Sequence, residues 1–271
     1  MQILIRTGDK GDAVREVERL LVTQGYNVKE DALFDANTEQ AVKAFQRKMG
    51  LVEDGVVGSK TMQTLRTRTK NSKLLTQQDI VKAATALGVA PACVLAVNEV
   101  ESSGSGFFDD GRAKILFERH IMYRRLKAAD YDADDLSVKF PKLVNKTPGG
   151  YRGNWPEYTR MKSAQVIDHD IALESCSWGQ FQIMGYHWQA LGYASVQAFV
   201  DCMGKSEAEQ LNAFVKFIQA DPALHKALKA KKWAEFARIY NGPAYKTNLY
   251  DIKLARAYER YADNETLAVA A

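Results

Sequence analysis

The chain holds three cysteines, Cys93, Cys176 and Cys202, among 271 residues. They are too few and too scattered for a disulfide framework or a four-thiolate zinc site, and they read as reduced, buried thiols. No apolar run approaches the roughly 18 residues needed to cross a bilayer, so no membrane insertion is expected. The opening MQILIRTGDKGD meets charge too early for a signal-peptide core, so the expectation is synthesis in a cytoplasm without an export address. The four histidines, His120, His169, His187 and His225, show no H-E-x-x-H or closely paired spacing, which leaves a zinc amidase poorly supported and no metal or cofactor expected. No Lys/Arg-rich run interleaves with aromatics, which weakens a nucleic-acid reading.

What is present is ordinary for a globular chain: 46% hydrophobic and 26% charged residues, with a net charge of +4 spread along the length. That mild positive balance suits an anionic polymer without choosing among cell wall, lipopolysaccharide and nucleic acid. The length allows one or two domains, each able to bury a core.

The amino-terminal part reads as three short helices. Asp12 can cap a helix from about Ala13 to Gln24, with Val14, Val17, Leu20 and Leu21 on one face and Gly25 ending it. Thr38 precedes a helix that stacks Val42 on Phe45 and stops at Gly50, and Thr61, Met62 and Leu65 begin a third. Two similar phrases, Ala32 to Thr38 and Glu53 to Thr61, are loops that each deliver the chain into a threonine at a helix start. The run G-D-x-V-x-x-V-x-x-L-L, the core F-D-x-x-T-x-x-A-V-x-x-F-Q and the closing G-L-V-x-D-G-V-V-G-x-x-T-x-x-x-L resemble the three-helix peptidoglycan-binding domain over residues 3 to 66. Asp35-Ala36 stands where that family usually has glycine after the Phe. The resemblance implies wall contacts at Phe34, Asp35, Thr38 and Asp54.

Residues 67 to 75 are polar, cationic and aperiodic at first, a linker signature. Thr76-Gln77-Gln78-Asp79 then opens a helix with a capping-box pattern. From there to about Ala262 the pattern is mostly helical, interrupted between Ser102 and Glu118 and by a Gly/Pro-rich loop from Lys146 to Pro156. The expected architecture is mainly α, with domains at 1–66 and 76–271 joined by a 67–75 linker and one small β-hairpin.

Pro91 can open a helix that the Ser-Ser-Gly-Ser-Gly run after Glu101 must end. On it Glu101 shares a stripe with Val94 and Val97, whereas Glu99 shares one with Leu95 and Ala92, so periodicity does not separate the two acids. A carboxyl on such a stripe is partly desolvated and keeps its proton near neutral pH, as a glycosidic leaving group requires. Position favours Glu101, at the helix end beside a glycine-rich loop. A helix-terminal Glu is otherwise most often a solvated one.

Further motifs raise the odds. Glu-Ser-Ser-Gly-Ser-Gly-Phe-Phe from Glu101, the run Gly111 to His120, Gly149-Gly150-Tyr151 through Arg160, and Ser175 to Gly185 are similar to the phage and prophage N-acetylmuramidases of the lysozyme-like superfamily. The resemblance spans about residues 76 to 262. It implies Glu101 as catalytic acid, Gln180, Gln182 and Tyr186 as cleft residues, and Tyr240-Asn241-Gly242-Pro243 as a wall segment. Tyr151 and His120 join them as candidate substrate contacts. Glu118, in a segment Lys114 to Glu118 expected to be a strand, is the preferred second carboxylate, against a structural pairing with Arg112 or Arg119. Asp109 and Asp110 read as turn residues, and Phe181 as core.

Other classes remain in view. A thiol peptidase would use Cys176 with His169 or His187, but the strand-rich second half such enzymes need is missing. A wall-binding structural protein and a lytic transglycosylase share the same motifs, and the resemblance tips the reading to hydrolysis. The expected partner is peptidoglycan, engaged by a monomer. As in a phage endolysin, the protein would accumulate in the host cytoplasm and depend on a holin-type membrane protein to reach the wall.

Overall fold

The computed structural model describes residues 4–102 and 104–263. The chain is mainly α-helical and forms two compact units, one combining Met1–Gly104 with Asp221–Ala271 and the other Ser105–Ala220. No single described helix is long and apolar enough to cross a membrane.

The first unit begins with α1 (Asp12–Val22), α2 (Ala36–Met49) and α3 (Ser59–Thr67), followed by α4 (Gln77–Leu87) and α5 (Pro91–Glu101). Val14, Val17 and Leu21 of α1, Val42 and Phe45 of α2 and Leu65 of α3 bury against Phe34, Leu51 and Val57 in one small core. The helix starts differ from the expectation in an instructive way. Asp35, not Thr38, caps α2, its carboxylate accepting from Thr38 N at 2.8 Å, and Gly58 precedes α3. The twin threonines therefore occupy the third helical position in both repeats, where their buried side chains pack. Asp12 likewise lies inside α1, after Gly11. Gly50, at φ 71°, ends α2 in the left-handed conformation that glycine adopts without steric cost.

The capping box at Thr76 forms as expected: the Thr76 hydroxyl accepts from Asp79 N at 3.3 Å, and the Asp79 carboxylate accepts from Thr76 N at 3.0 Å. In α5 the residues from Ala92 to Val97 are all buried, so the helix is apolar on every side and sits inside the unit. It packs against α14 (Tyr250–Asp263), the last element of the same unit after α12 (Pro222–Lys229) and α13 (Trp233–Tyr240).

The second unit contains β1 (Ile115–Phe117), α6 (Arg119–Ala128), α7 (Ala133–Lys139), α8 (Pro156–Gln165), α9 (His169–Glu174), β2 (Cys176–Trp178), β3 (Ile183–Met184), α10 (Val196–Lys205) and α11 (Glu207–Ala220). The strands form an antiparallel sheet in the order β1-β2-β3. The strand expected near 115–117 exists, but its partner is β2, with Phe117 opposite Cys176, and the tight hairpin is β2–β3.

Two polar side chains of α11 bind this unit's loops together. The buried Glu207 carboxylate accepts from Gly106 N at 2.9 Å. Gln210 accepts from Gln180 N at 2.7 Å and donates to the Gly106 and Met203 carbonyls at 3.3 and 2.9 Å. Both loops reach α11 because they lack side chains there: a Cβ at Gly106 or Gly179 would lie 2.0 or 2.6 Å from Gln210 atoms. Gly179 also holds φ 72°. Gly179→Ala is therefore expected to cost about 2–3 kcal/mol through overpacking and backbone strain, lowering Tm by ~5–10 °C in a thermal melt. Gly204→Ala, with nothing within 4 Å of its Cβ and inside α10, should leave Tm unchanged or raised.

Candidate active site

Glu101 closes α5, and its carboxyl has two unlike oxygens. Oε2 accepts from Asn241 Nδ2 at 2.8 Å; Oε1 is buried and has no hydrogen-bond partner among the described residues. Burial pushes its pKa up from an ordinary 4.5 to about 7, against the opposing pull of the Asn241 hydrogen bond and the Lys253 charge. The cause is sequence-local: an apolar helix end supplies low-dielectric neighbours and only one neutral donor. Asn241 is delivered by the turn after α13, where Gly242 at φ 80° reverses the chain into the helical turn Pro243–Asn248. Tyr240 ends α13 with its ring stacked 5.9 Å from Phe236, and burial followed by the Glu101 charge holds its hydroxyl well above the usual tyrosine range.

Glu99 is differently placed. It pairs with Arg260, accepts from Tyr261 OH at 2.8 Å and lies 3.9 Å from Arg6. These contacts make Glu99 a tie between α5 and α14. Beside this face of α5 opens a cavity of about 110 Å³ lined by Gln46, Asp54, Asn98, Glu99 and Tyr261; Glu101 is not in its lining.

In the second unit, Glu118 sits where β1 hands over to α6, its backbone N–H donating to Ser175 O at 2.8 Å. Its carboxylate accepts from Tyr151 OH at 2.8 and 3.1 Å, and His120 Nδ1 lies 3.1 Å from Oε2. Arg112 instead pairs with Asp110 at 2.5 Å, and Arg119 donates to the Thr147 and Pro148 carbonyls at 2.9 and 3.1 Å. The arginine pairing considered for Glu118 is thus not formed. Tyr151 arrives on a loop that Glu157 holds from beneath. The fully buried Glu157 carboxylate accepts from Arg152 N at 2.5 Å and Gly153 N at 3.0 Å, and pairs with Arg160 at 2.6 Å. The sequence reading missed Glu157. Its signal was a Glu in the first helical turn with an Arg three residues on, both facing one side.

The remaining candidates divide by exposure. Gln180 is fully buried. Gln182, at φ 51°, spends its amide inside the β2–β3 turn, accepting from Ser177 Oγ at 2.7 Å and donating to Gly179 O at 2.8 Å. Tyr186 is half-buried beside His187, with ring centroids 4.3 Å apart. Phe34 and Thr38 are buried in the amino-terminal core, Asp35 is the α2 cap, and Asp54 accepts from Gln46 at 2.7 Å. Phe181 stacks on Phe214 at 4.5 Å. Cys176 is wholly buried in β2, and that burial raises its thiol well above the usual cysteine range. A thiol so placed is inert rather than nucleophilic.

A mainly helical frame carries a desolvated Glu at the end of a buried helix, the kind of acid that a glycosidase of lysozyme type uses. The comparisons agree. The N-acetylmuramidase family model matches residues 90–262, and a peptidoglycan-binding domain model matches residues 10–65. The chain belongs to the N-acetylmuramidase family and is a peptidoglycan hydrolase. It is similar to Burkholderia AP3 phage endolysin, whose crystal structure superposes with a TM-score of 0.91 at 52% identity, covering 96% of this chain and 100% of that one. It is also 39% identical over 74 residues to the N-acetylmuramoyl-L-alanine amidase CwlM of Mycobacterium tuberculosis (strain ATCC 25618 / H37Rv), a stretch covering 23% of this chain and 18% of that protein.

The Glu101 shift makes a stability prediction. Its folded pKa lies above the unfolded value, so this group's contribution is full below about pH 4.5 and is lost as pH rises through about 7. Glu101→Gln cannot ionise and escapes that loss. Its Tm should exceed the parent's at pH 8 by ~6–12 °C, for a gain of about 3 kcal/mol, and the gap should close below pH 4.5 in parallel thermal melts.

Proposed function

We propose that the chain hydrolyses the β-1,4 bond between N-acetylmuramic acid and N-acetylglucosamine, with Glu101 as proton donor. The observation that carries this is the Glu101 carboxyl itself: one oxygen held by Asn241, the other buried with no partner among the described residues, and a pKa pushed up to about 7. Protonated, it delivers its proton to the glycosidic oxygen as the C1–O bond breaks, and the positive charge developing on the sugar ring calls for a second carboxylate. Glu118 takes that role. The Tyr151 hydroxyl holds its oxygens at a strand end, so little reorganisation is needed when charge appears. Water then completes the hydrolysis. Asn241, Tyr240, Tyr186, Tyr151 and His120 serve as further substrate contacts.

The amino-terminal helices bind the wall and raise the local concentration of the catalytic part without adding chemistry. With Phe34 and Thr38 buried, wall contact falls to exposed side chains of that module. The likeness to a phage endolysin supports a role in host-cell lysis. In this reading the protein is a monomer made in the host cytoplasm, reaching peptidoglycan once a holin-type protein breaches the membrane.

Glu101→Gln is expected to lower the rate of turbidity loss of permeabilised bacteria by about 10²–10⁴-fold while still sedimenting with purified sacculi; full clearing by the variant would reject Glu101 as the acid. The parent kcat should fall as pH rises past about 7, as the acid ionises, and that limb should vanish in the residual activity of Glu101→Gln. Mass spectrometry of the muropeptides should show hydrated reducing ends; products lighter by one water would mean transglycosylation.

A further inference from the structure

We propose that Trp155 is a sugar-stacking residue that, with Tyr151, forms an aromatic platform for the glycan strand beside Glu118; this rests on the hydrolase reading above. Trp155 is 60% exposed and Tyr151 46% exposed. A tryptophan this open presents a large, rigid apolar face on which a sugar ring can stack.

The loop that carries both rings is held rather than loose. At its entry, Arg119 donates to the Thr147 and Pro148 carbonyls, and a Cβ on Gly150 would come within 3.1 Å of that guanidinium. In its middle, Tyr151 OH is fixed on Glu118. Beyond it, the buried Glu157 carboxylate takes the Arg152 and Gly153 amides. Gly149, Gly150, Gly153 and Asn154 all have positive φ, Asn154 at 56° without the freedom of glycine. Buried polar anchors of this kind hold a loop in one shape, as a binding segment requires. The two rings stand four positions apart in the chain, so their Cα atoms lie at most ~14 Å apart, within the reach of a short oligosaccharide. One end of the platform is anchored to Glu118, which sets where a stacked pyranose would sit relative to that carboxylate. The ligand class is a chain of N-acetylhexosamines, whose apolar ring faces stack on aromatic rings.

The test uses the full chain with Trp155→Ala, Trp155→Phe and Trp155→Leu. On purified peptidoglycan, Trp155→Ala should raise KM about five- to tenfold with kcat within about twofold, the pH profile unmoved and Tm unaltered. Trp155→Phe should recover most of the affinity, and Trp155→Leu, of similar bulk without a π face, should not. Independently, chitotetraose should shift the tryptophan emission of Glu101→Gln, and the shift should disappear on adding Trp155→Phe. An unchanged KM in Trp155→Ala, or equal rescue by Phe and Leu, or a chitotetraose signal that survives Trp155→Phe, overturns the platform. The fluorescence arm needs no turnover. Failure of the hydrolase reading shows instead as absent cleavage by the parent, whatever Trp155 does.

Discussion

A carboxyl that keeps its proton near neutral pH must be denied water on most sides and offered little compensation on the rest. Glu101 meets both conditions. The helix that ends on it is buried from Ala92 to Val97, and the side chain hydrogen-bonded to it is an amide, which favours the charged form only weakly. An arginine in place of Asn241 would pull the pKa down and remove the acid. Two residues earlier, Glu99 shows the opposite case on the same helix: Arg260 and Tyr261 hold it as a structural charge. The two glutamates differ in what the last helix and the turn after α13 bring to them.

The second unit solves a different problem, the positioning of loops with little regular structure of their own. Its three-stranded sheet is short, and its long connections would be floppy if held by apolar contacts alone. Buried polar groups take over. Glu157 and Arg160 satisfy backbone groups of β1 and of the 149–154 loop, while Glu207 and Gln210 clamp the chain at Gly106 and Gly179. Such groups are costly to bury and each is matched by several partners, so losing one partner leaves an unsatisfied polar atom in the interior. Glu118 and Tyr151 inherit their placement from this scaffold.

Much of the secondary structure was legible because it rests on local chemistry. Capping at Thr76, helix opening at Pro91, helix stopping at Gly50 and the buried faces of the amino-terminal helices follow from residue types and spacing. The helices begin two or three residues before the starts expected at Thr38 and Thr61, since a threonine three residues into a helix and one at its start leave the same local pattern. Of the expected wall contacts, Phe34 and Thr38 lie in the amino-terminal core, since a motif residue can serve packing and spacing alone does not place it on the surface.

By itself the sequence determined the mainly helical class, the two kinds of module and the pair of acids near the end of α5, because periodicity, caps and motif spacing are written within short windows. Only the tertiary structure decided which acid is desolvated, which strand pairs with β1, and which loop glutamate is scaffold. Those outcomes depend on residues far apart in the chain, Asn241 against Glu101, Arg260 against Glu99 and Cys176 against Phe117. No local pattern encodes the dielectric or the hydrogen-bond partner that such distant segments supply.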